Sequence, residues 1–175
     1  MIERAILESF IGTLAFTLSC SSVVPVDANI REISLSPRLP PGKSVLRCRA
    51  LVFTIHSSQL IESLRLQLRC ESQSQRTPCP GECLEAQEWE TRSHILVVGT
   101  EDSEALMGRM PFLDLQAFED LVEYRDDSMT LHLRRIPAGR TVSLHFIIAE
   151  NRSPEPSSAS AWFAVDIPHR VLLNA

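Results

Sequence analysis

Two histidines, His132 and His145, have the spacing of a metal-binding pair on neighbouring β-strands. If the strands on either side of the turn Pro137–Arg140 formed a hairpin, the two imidazoles would lie opposite each other, with Cβ atoms about 5 Å apart. Neutral imidazole nitrogens are good ligands for transition metals. The local pattern supplies no third ligand, however, and Arg134 would repel a cation. The sequence therefore predicts two solvated surface histidines, with a metal site as the alternative.

A second pair, Asp166 and His169, could serve as general acid and general base. Pro168 lies between them, so a polar turn at the end of a strand is the simpler interpretation. The chain contains no Gly-x-Ser-x-Gly elbow, no His-Glu-x-x-His motif, no phosphate-binding glycine loop and no dinucleotide fingerprint. The sequence thus assigns no catalytic residue and no cofactor.

Four of the five cysteines form two candidate pairs. Cys79 and Cys83 enclose a short loop that favours a disulfide or thiols, because zinc knuckles usually have two intervening residues and need a second pair of ligands. Cys48 and Cys70 could supply that pair in number, but the strand pattern turns both toward the core. We expect these two to be buried thiols, with a cross-strand disulfide as the alternative.

Charge is unevenly distributed along the chain, whose net charge is −5. Residues 28–76 hold eight basic and three acidic residues, whereas residues 82–127 hold three basic and thirteen acidic ones. Arginines of the basic half are candidates for an interaction face that binds phosphates: Arg47, Arg49, Arg65 and Arg69. No Phe or Tyr lies between the arginines of the predicted strand 61–71, so nucleic-acid bases would lack a stacking platform. The favoured interpretation is pairing with the acidic half, with a second copy or with a charged protein partner.

Short apolar runs separated by Pro, Gly, Ser and Asp predict an all-β chain. Seven strands are predicted, at 30–36, 44–56, 61–71, 93–99, 129–136, 141–150 and 162–167. Residues 72–92 are predicted to be a polar loop and residues 101–123 a small helical insert, with Thr100 or Ser103 as its cap. Because strands and helices do not alternate, the pattern favours an antiparallel two-sheet sandwich.

The first 25 residues form an apolar segment that precedes the predicted sandwich domain, residues 26–175. Glu8 is the one charged residue between positions 5 and 26, and the apolar length matches the h-region of an export signal. The acidic residues at its start and the pattern before the first cysteine depart from export and lipoprotein signals. The sequence leaves open a signal peptide, a membrane anchor, or a short helix or strand that packs on the domain. An exported or membrane-tethered location is as compatible with this segment as a cytoplasmic one.

Two stretches of sixteen residues share one pattern, in which an apolar residue, Pro, any residue, Gly, two further residues and Val precede an alternating run. They are "LPPGKSVLRCRALVFT" (Leu39–Thr54) and "IPAGRTVSLHFIIAEN" (Ile136–Asn151). This pattern resembles the strand openings of bacterial immunoglobulin-like sandwich modules, including the cell-adhesion-related type of exported proteins. The resemblance implies an antiparallel sandwich that acts as a spacer, adhesion or partner-binding module without catalysis.

We therefore expect a non-catalytic interaction or structural module, tethered to a membrane if the N-terminal segment is an anchor. Its expected partner is another protein or a second copy of the chain. The first alternative is a metal-dependent or hydrolytic enzyme that uses the histidines and Asp166 named above. The second is a nucleic-acid binder that uses the four arginines.

Overall fold

The computed structural model describes residues 2–21, 26–71, 75–80, 84–113, 121–125, 127–153 and 159–172, with the backbone alone described at 75–80 and at 159. The strands are β1 (Ile2–Ser9), β2 (Gly12–Ser21), β3 (Asp27–Ser34), β4 (Arg47–His56), β5 (Ile61–Glu71), β6 (Gln75–Pro80), β7 (Leu84–Glu90), β8 (His94–Glu101), β9 (Val122–Arg125), β10 (Ser128–Ile136) and β11 (Thr141–Arg152). The helices are α1 (Ser103–Arg109), α2 (Ala159–Val165) and α3 (His169–Leu172). All strand pairs are antiparallel, so the predicted all-β class is confirmed.

Two sheets contain these strands. The first sheet has the order β1-β2-β5-β10-β9, and the second has the order β3-β4-β11-β8-β7-β6. Apolar side chains from both sheets form the main core. The ring of Phe16 on β2 lies 6.3 Å from that of Phe53 on β4 and 5.5 Å from that of Phe146 on β11, measured between centroids. These contacts across the two layers confirm the predicted two-sheet sandwich.

The strand predicted at 61–71 is β5, with the same bounds. Leu64, Leu66 and Leu68 are at most 1 % exposed, whereas Arg65 is exposed. Successive side chains of a strand point to opposite faces, so this alternation places the leucines between the sheets and the arginines on the outer face.

The loop Pro137–Arg140 joins β10 to β11, but these strands do not form a hairpin. β10 pairs with β5 and β9 in the first sheet, whereas β11 pairs with β4 and β8 in the second. The chain crosses between the sheets here and turns at Gly139, whose φ of 71° is a left-handed conformation that glycine adopts without steric cost. The hairpin on which the His132–His145 hypothesis depended is therefore absent, because a tight turn does not determine which sheet the next strand joins.

Two strands, β6 and β7, occupy most of the stretch predicted as a polar loop at 72–92, and that prediction is wrong. They extend one edge of the second sheet. β7 carries several acidic residues, but its Trp89 is fully buried in the main core. Its acidic side chains reach hydrogen-bond donors on other elements; Glu88, for example, accepts a bond of 2.6 Å from the Trp162 indole N–H.

The strand predicted at 162–167 is also wrong, because most of this segment belongs to helix α2. Ala161, Ala164 and Val165 have the spacing of one helical face, and all three are buried. They pack on the outer face of the second sheet in an apolar group that we call the second cluster: Cys48, Ala50, Val52, Ala86, Ile95, Val97, Ile147, Ala149, Ala161, Ala164, Val165 and Leu172. The outer face of β11, predicted to be exposed, is therefore covered.

The helical insert predicted at 101–123 is shorter in the structure. α1 has seven residues, and its N-cap is Asp102, whose side chain accepts a bond of 2.8 Å from a backbone N–H of the first turn. Thr100 and Ser103, the predicted caps, do not hold this position. Part of the predicted insert, 114–120, lies outside the described residues, and its last residues belong to β9.

The apolar N-terminal segment supplies two strands of the first sheet. β1 and β2 form a hairpin, and β2 pairs along its length with β5. Phe16 and Leu18 of β2 are fully buried in the main core. The sandwich thus includes residues before position 26. Among the helices of the described ranges, none has the length and apolar character needed to cross a bilayer.

Candidate functional site

His145 and His169 form the centre of a buried polar cluster on the outer face of the second sheet. The Nδ1 atoms of the two rings lie 2.7 Å apart, and the rings are stacked with centroids 5.0 Å apart. A carboxylate oxygen of Glu101 lies 3.8 Å from His145 Nδ1. These residues come from β11, α3 and β8, and none is more than 9 % exposed. Helix α3 thus packs on the outer face of the second sheet and buries His145 of β11.

Arg109 holds the Glu101 carboxylate in place. Its Nε and Nη2 atoms donate to the two carboxylate oxygens at 3.1 and 2.6 Å, and Nη2 also donates to the Ser143 carbonyl at 2.7 Å. Arg109 stands in the last turn of α1, so the cap at Asp102 helps to set its position. This bidentate contact compensates the buried negative charge and fixes the orientation of Glu101.

Both imidazoles are neutral at neutral pH. Burial lowers the pKa of His145 to about 3, and the neighbouring His169 and Arg109 act in the same direction. Burial lowers the pKa of His169 to about 4, again with a contribution from Arg109. Since each neutral ring has one N–H, one Nδ1 donates to the other across the 2.7 Å contact. The Nε2 atom of His169 is buried and has no hydrogen-bond partner among the described residues.

The cluster offers ligand atoms rather than an open active site. A cleft of about 480 Å³ lies beside α3, and its lining includes Asp166 but neither histidine. Asp166 is exposed, whereas His169 is 2 % exposed and bonds to His145. The hypothesised acid–base pair of Asp166 and His169 is therefore replaced by a pair of histidines that solvent hardly reaches.

The structure does not bring His132 and His145 together. His132 lies on the first sheet, where its backbone is opposite Arg65 and its Nε2 atom is 2.9 Å from the Ser63 hydroxyl. His145 lies on the second sheet, opposite Val52. The alternative of a metal site between these two histidines is wrong, because their strands do not form a hairpin. The expectation that His145 is a solvated surface residue is also wrong, since it is 2 % exposed.

The four candidate arginines do not share one face. Arg47 and Arg49 belong to β4 in the second sheet, whereas Arg65 and Arg69 belong to β5 in the first. Arg69 forms an ion pair with an acidic residue of the same chain, as the favoured interpretation expects. The nucleic-acid alternative required all four arginines on one face, and this condition is not met, because the two strands lie in different layers.

Arg47 and Arg49 surround a buried carboxylate, that of Glu150 on β11. Arg47 donates to both oxygens of Glu150, and Arg49 Nη2 lies 3.4 Å from one of them. Both arginines also donate to the Glu8 backbone carbonyl, at 3.0 and 2.9 Å. The backbone N–H of Phe10 completes the group by donating to Glu150 at 2.7 Å. These bonds join the β1–β2 hairpin to the second sheet.

The cysteines that the structure describes are buried thiols. Cys48 lies in the second cluster with its Sγ atom 3.7 Å from the Ala164 carbonyl, whereas Cys70 lies in the main core. The two are on different sheets, so the alternative of a disulfide between them is wrong and the expectation of buried thiols is confirmed. The prediction that both turn toward the core is wrong for Cys48, because its side of β4 faces α2. Cys79 is in β6, where side chains are not described, and Cys83 lies outside the described residues.

β1 presents an apolar edge to solvent. Within the described ranges it is the last strand on its side of the first sheet. Leu7 points into the core, whereas Ile2 and Ile6 on the opposite face are 65 % and 66 % exposed. Arg4 and Glu8 lie on that same exposed face, because residues two apart share a face of a strand.

Comparison with known proteins found no family model and no curated protein that matches the chain. The sequence patterns point to His145 and His169 separately, not as a pair, and they do not point to Glu101 or Arg109. The signal available in the sequence was Glu101, an acidic residue at the end of the apolar run of β8. If that strand is buried, its carboxylate needs a charged or hydrogen-bonding partner.

Proposed function

We propose that the protein is a non-catalytic interaction module whose β1 edge pairs with a second copy of the chain. The observation that carries this proposal is the exposure of Ile2 and Ile6, about two-thirds each, on an edge strand. An edge strand has unpaired backbone groups that accept another strand, and exposed apolar side chains on it add a driving force. Proteins that stay monomeric usually protect such an edge.

Exposed large apolar side chains are concentrated here. Three of them, Ile2, Ile6 and Phe10, lie on β1 or in the turn that follows it. The described residues include seven in all, and the other four are Leu46, Leu60, Phe163 and Val171. The core does not require Ile2 or Ile6, because the other face of β1 packs against it. An apolar face that the fold leaves exposed indicates a contact surface.

Charge complementarity favours a second copy as the partner. In an antiparallel pair of β1 strands centred on Ile6, Arg4 would lie opposite Glu8 of the second copy, and the two Ile6 side chains would meet. A two-fold axis gives each favourable pair twice. The Glu8 carbonyl already accepts two hydrogen bonds, so we expect backbone pairing to be short and the dimer to be weak.

We also infer that the sandwich is of the immunoglobulin-like kind suggested by its two strand openings. The support is local: turn glycines precede β4 and β11, and Gly42 and Gly139 have φ values of 78° and 71°. Two stacked antiparallel sheets are compatible with this assignment. An experimentally determined structure whose strand connections differ from those of immunoglobulin-like modules would contradict it.

The dimer is tested by sedimentation equilibrium of the full chain over a range of concentrations. We expect the wild type to associate as concentration rises and Ile6→Lys to stay monomeric, because the lysines would meet at the two-fold axis. Leu60→Lys is the matched control, since Leu60 is 43 % exposed but lies outside β1. A monomeric wild type, or equal association of Ile6→Lys and the control, would overturn the proposal.

A further inference from the structure

We propose that Glu101, His145 and His169 form a binding site for a transition-metal ion of the Zn²⁺ class. One potential ligand atom from each residue lies within 4.8 Å of the other two, and all three residues are buried. Two imidazoles and a carboxylate are a donor set that Zn²⁺ and its neighbours in the series accept. The site is independent of the β1 edge, which belongs to the other sheet.

The geometry requires only a small adjustment. Bonds of about 2.0–2.2 Å to one ion place ligand atoms about 3.0–3.5 Å apart. The two Nδ1 atoms are 2.7 Å apart, and Glu101 is 3.8 Å from His145, so the rings would separate slightly and the carboxylate would approach. His169 is the first residue of a four-residue helix, so its movement displaces little of the fold.

The protons can be accommodated within the rings. In the hydrogen-bonded pair, one Nδ1 carries a proton, and this proton occupies the position that an ion would take. Moving it to Nε2 of the same ring frees both Nδ1 lone pairs without any net loss of a proton. Both rings are neutral at neutral pH, so no proton competes with the ion there.

Arg109 sets the strength of binding. Its guanidinium already donates hydrogen bonds to both Glu101 carboxylate oxygens, and its positive charge repels a cation. Glu101 and Arg109 together leave no net negative charge to attract the ion. We therefore expect moderate affinity, and tighter binding when this positive charge is removed.

The chemical role that fits the burial is structural. An ion bound by residues of β8, β11 and α3 would link helix α3 to two strands of the second sheet. Structural zinc sites are closed by protein ligands, whereas catalytic sites keep a position open to solvent. His145 and His169 are 2 % exposed each, which fits a structural role. The three residues supply three ligands, so a water molecule or a further group would complete the coordination.

The test uses the full chain, treated with a chelator and titrated with ZnCl₂ by calorimetry at pH 7.5. We expect one ion per chain, at least tenfold weaker binding in His145→Asn and His169→Asn, and unchanged binding in His132→Asn. His132 is the matched control because it is a histidine of the other sheet. Arg109→Gln is expected to bind at least as tightly as the wild type.

Folding of each variant is checked by circular dichroism, and Glu101→Gln is the milder variant if a histidine variant does not fold. Titration with Co²⁺ gives a second readout, since thiolate ligation adds a charge-transfer band that nitrogen and oxygen ligands lack. No stoichiometric ion in the wild type would overturn the proposal. Zn²⁺ binding of wild-type affinity in both His169→Asn and Glu101→Gln would also overturn it. So would a thiolate charge-transfer band in the Co²⁺ spectrum of the wild type.

Discussion

Glu150 and Arg47 join the two layers of the sandwich at the β1–β2 turn. The Glu150 carboxylate is 1 % exposed, and Arg47 donates to both of its oxygens while also binding the Glu8 carbonyl. Phe10 adds to this contact, because its ring lies under the Arg47 guanidinium and stacks on His94. A single buried acidic residue thus holds the hairpin, which provides the proposed dimer edge, against the second sheet.

Removing this carboxylate should destabilise the fold. We expect Glu150→Ala to lower the free energy of unfolding by about 3 kcal/mol, because it removes the buried acceptor of the Phe10 N–H and of Arg49, whose side chain is 11 % exposed. Glu32→Ala is the control: Glu32 pairs with Arg49 but is 45 % exposed, and an exposed pair contributes less than about 1 kcal/mol. Urea unfolding measures both. Equal losses for the two variants would contradict the importance of the buried group.

Two glycines should respond in opposite directions to replacement by alanine. A Cβ atom at Gly99 on β8 would lie 2.9 Å from a Leu84 methyl and 3.0 Å from Val165 of α2, whereas one at Gly108 in α1 would meet no atom within 4 Å. We expect Gly99→Ala to cost about 1–3 kcal/mol through overpacking. Gly108→Ala should stabilise by roughly 0.5–1 kcal/mol through helix propensity. Urea unfolding distinguishes the two signs, and a neutral Gly99→Ala would mean that α2 does not pack closely on β8.

Cys48 should report on the opening of α2. Burial raises its pKa to about 12, so the native thiol has little thiolate to react. We expect slow alkylation of Cys48 by iodoacetamide at pH 8, and faster alkylation in Gly99→Ala, which loosens α2. Peptide mass spectrometry measures the rate, and Cys70 in the main core is the internal control. Equal acceleration at both cysteines would indicate global unfolding instead.

The elements that the sequence predicted well are those whose pattern is local. β5 has its predicted bounds because leucine and polar residues alternate along it, and β11 begins at Thr141 because a turn glycine precedes it. Neither feature depends on what another part of the chain does. For β5 and β11 the face that packs into the main core was therefore predictable, whereas for β4 the opposite face from that of Cys48 does so.

The candidate site was not predictable, because its formation depends on distant segments. Nothing in the sequence of β11 indicates that α2 and α3 cover its outer face. The alternation along β11 alone therefore predicts that His145 is exposed. The sheet that each strand joins is likewise decided by long-range pairing, which separated His132 from His145. His169 reached the site only because a segment predicted as strand is helical. In each case tertiary packing overrode a local pattern.

The stability of the fold should decrease in mildly acidic solution because of His145 and His169. Both have pKa values lowered by burial, to about 3 and about 4, whereas in the unfolded chain they take up protons near the ordinary value of about 6.5. The unfolded state therefore binds more protons below that pH. The stabilisation is fully present above pH ~6.5 and is lost progressively as the pH falls toward the folded-state values. Glu101 and Arg109, the charged groups that face the pair, contact each other and leave no unpaired negative charge to favour a protonated ring.

Urea unfolding at pH 7.5, 6.5, 5.5 and 4.5 measures this dependence. We expect His169→Asn to lose stability at pH 7.5, because it removes the hydrogen bond to His145, but to show a shallower decline with acid than the wild type. His132→Asn should keep the wild-type slope, since the structure places His132 on the other sheet, away from the pair. Carboxylates common to all three proteins contribute equally, so the difference in slope isolates the histidines. If all three slopes coincide, the buried pair does not control acid stability.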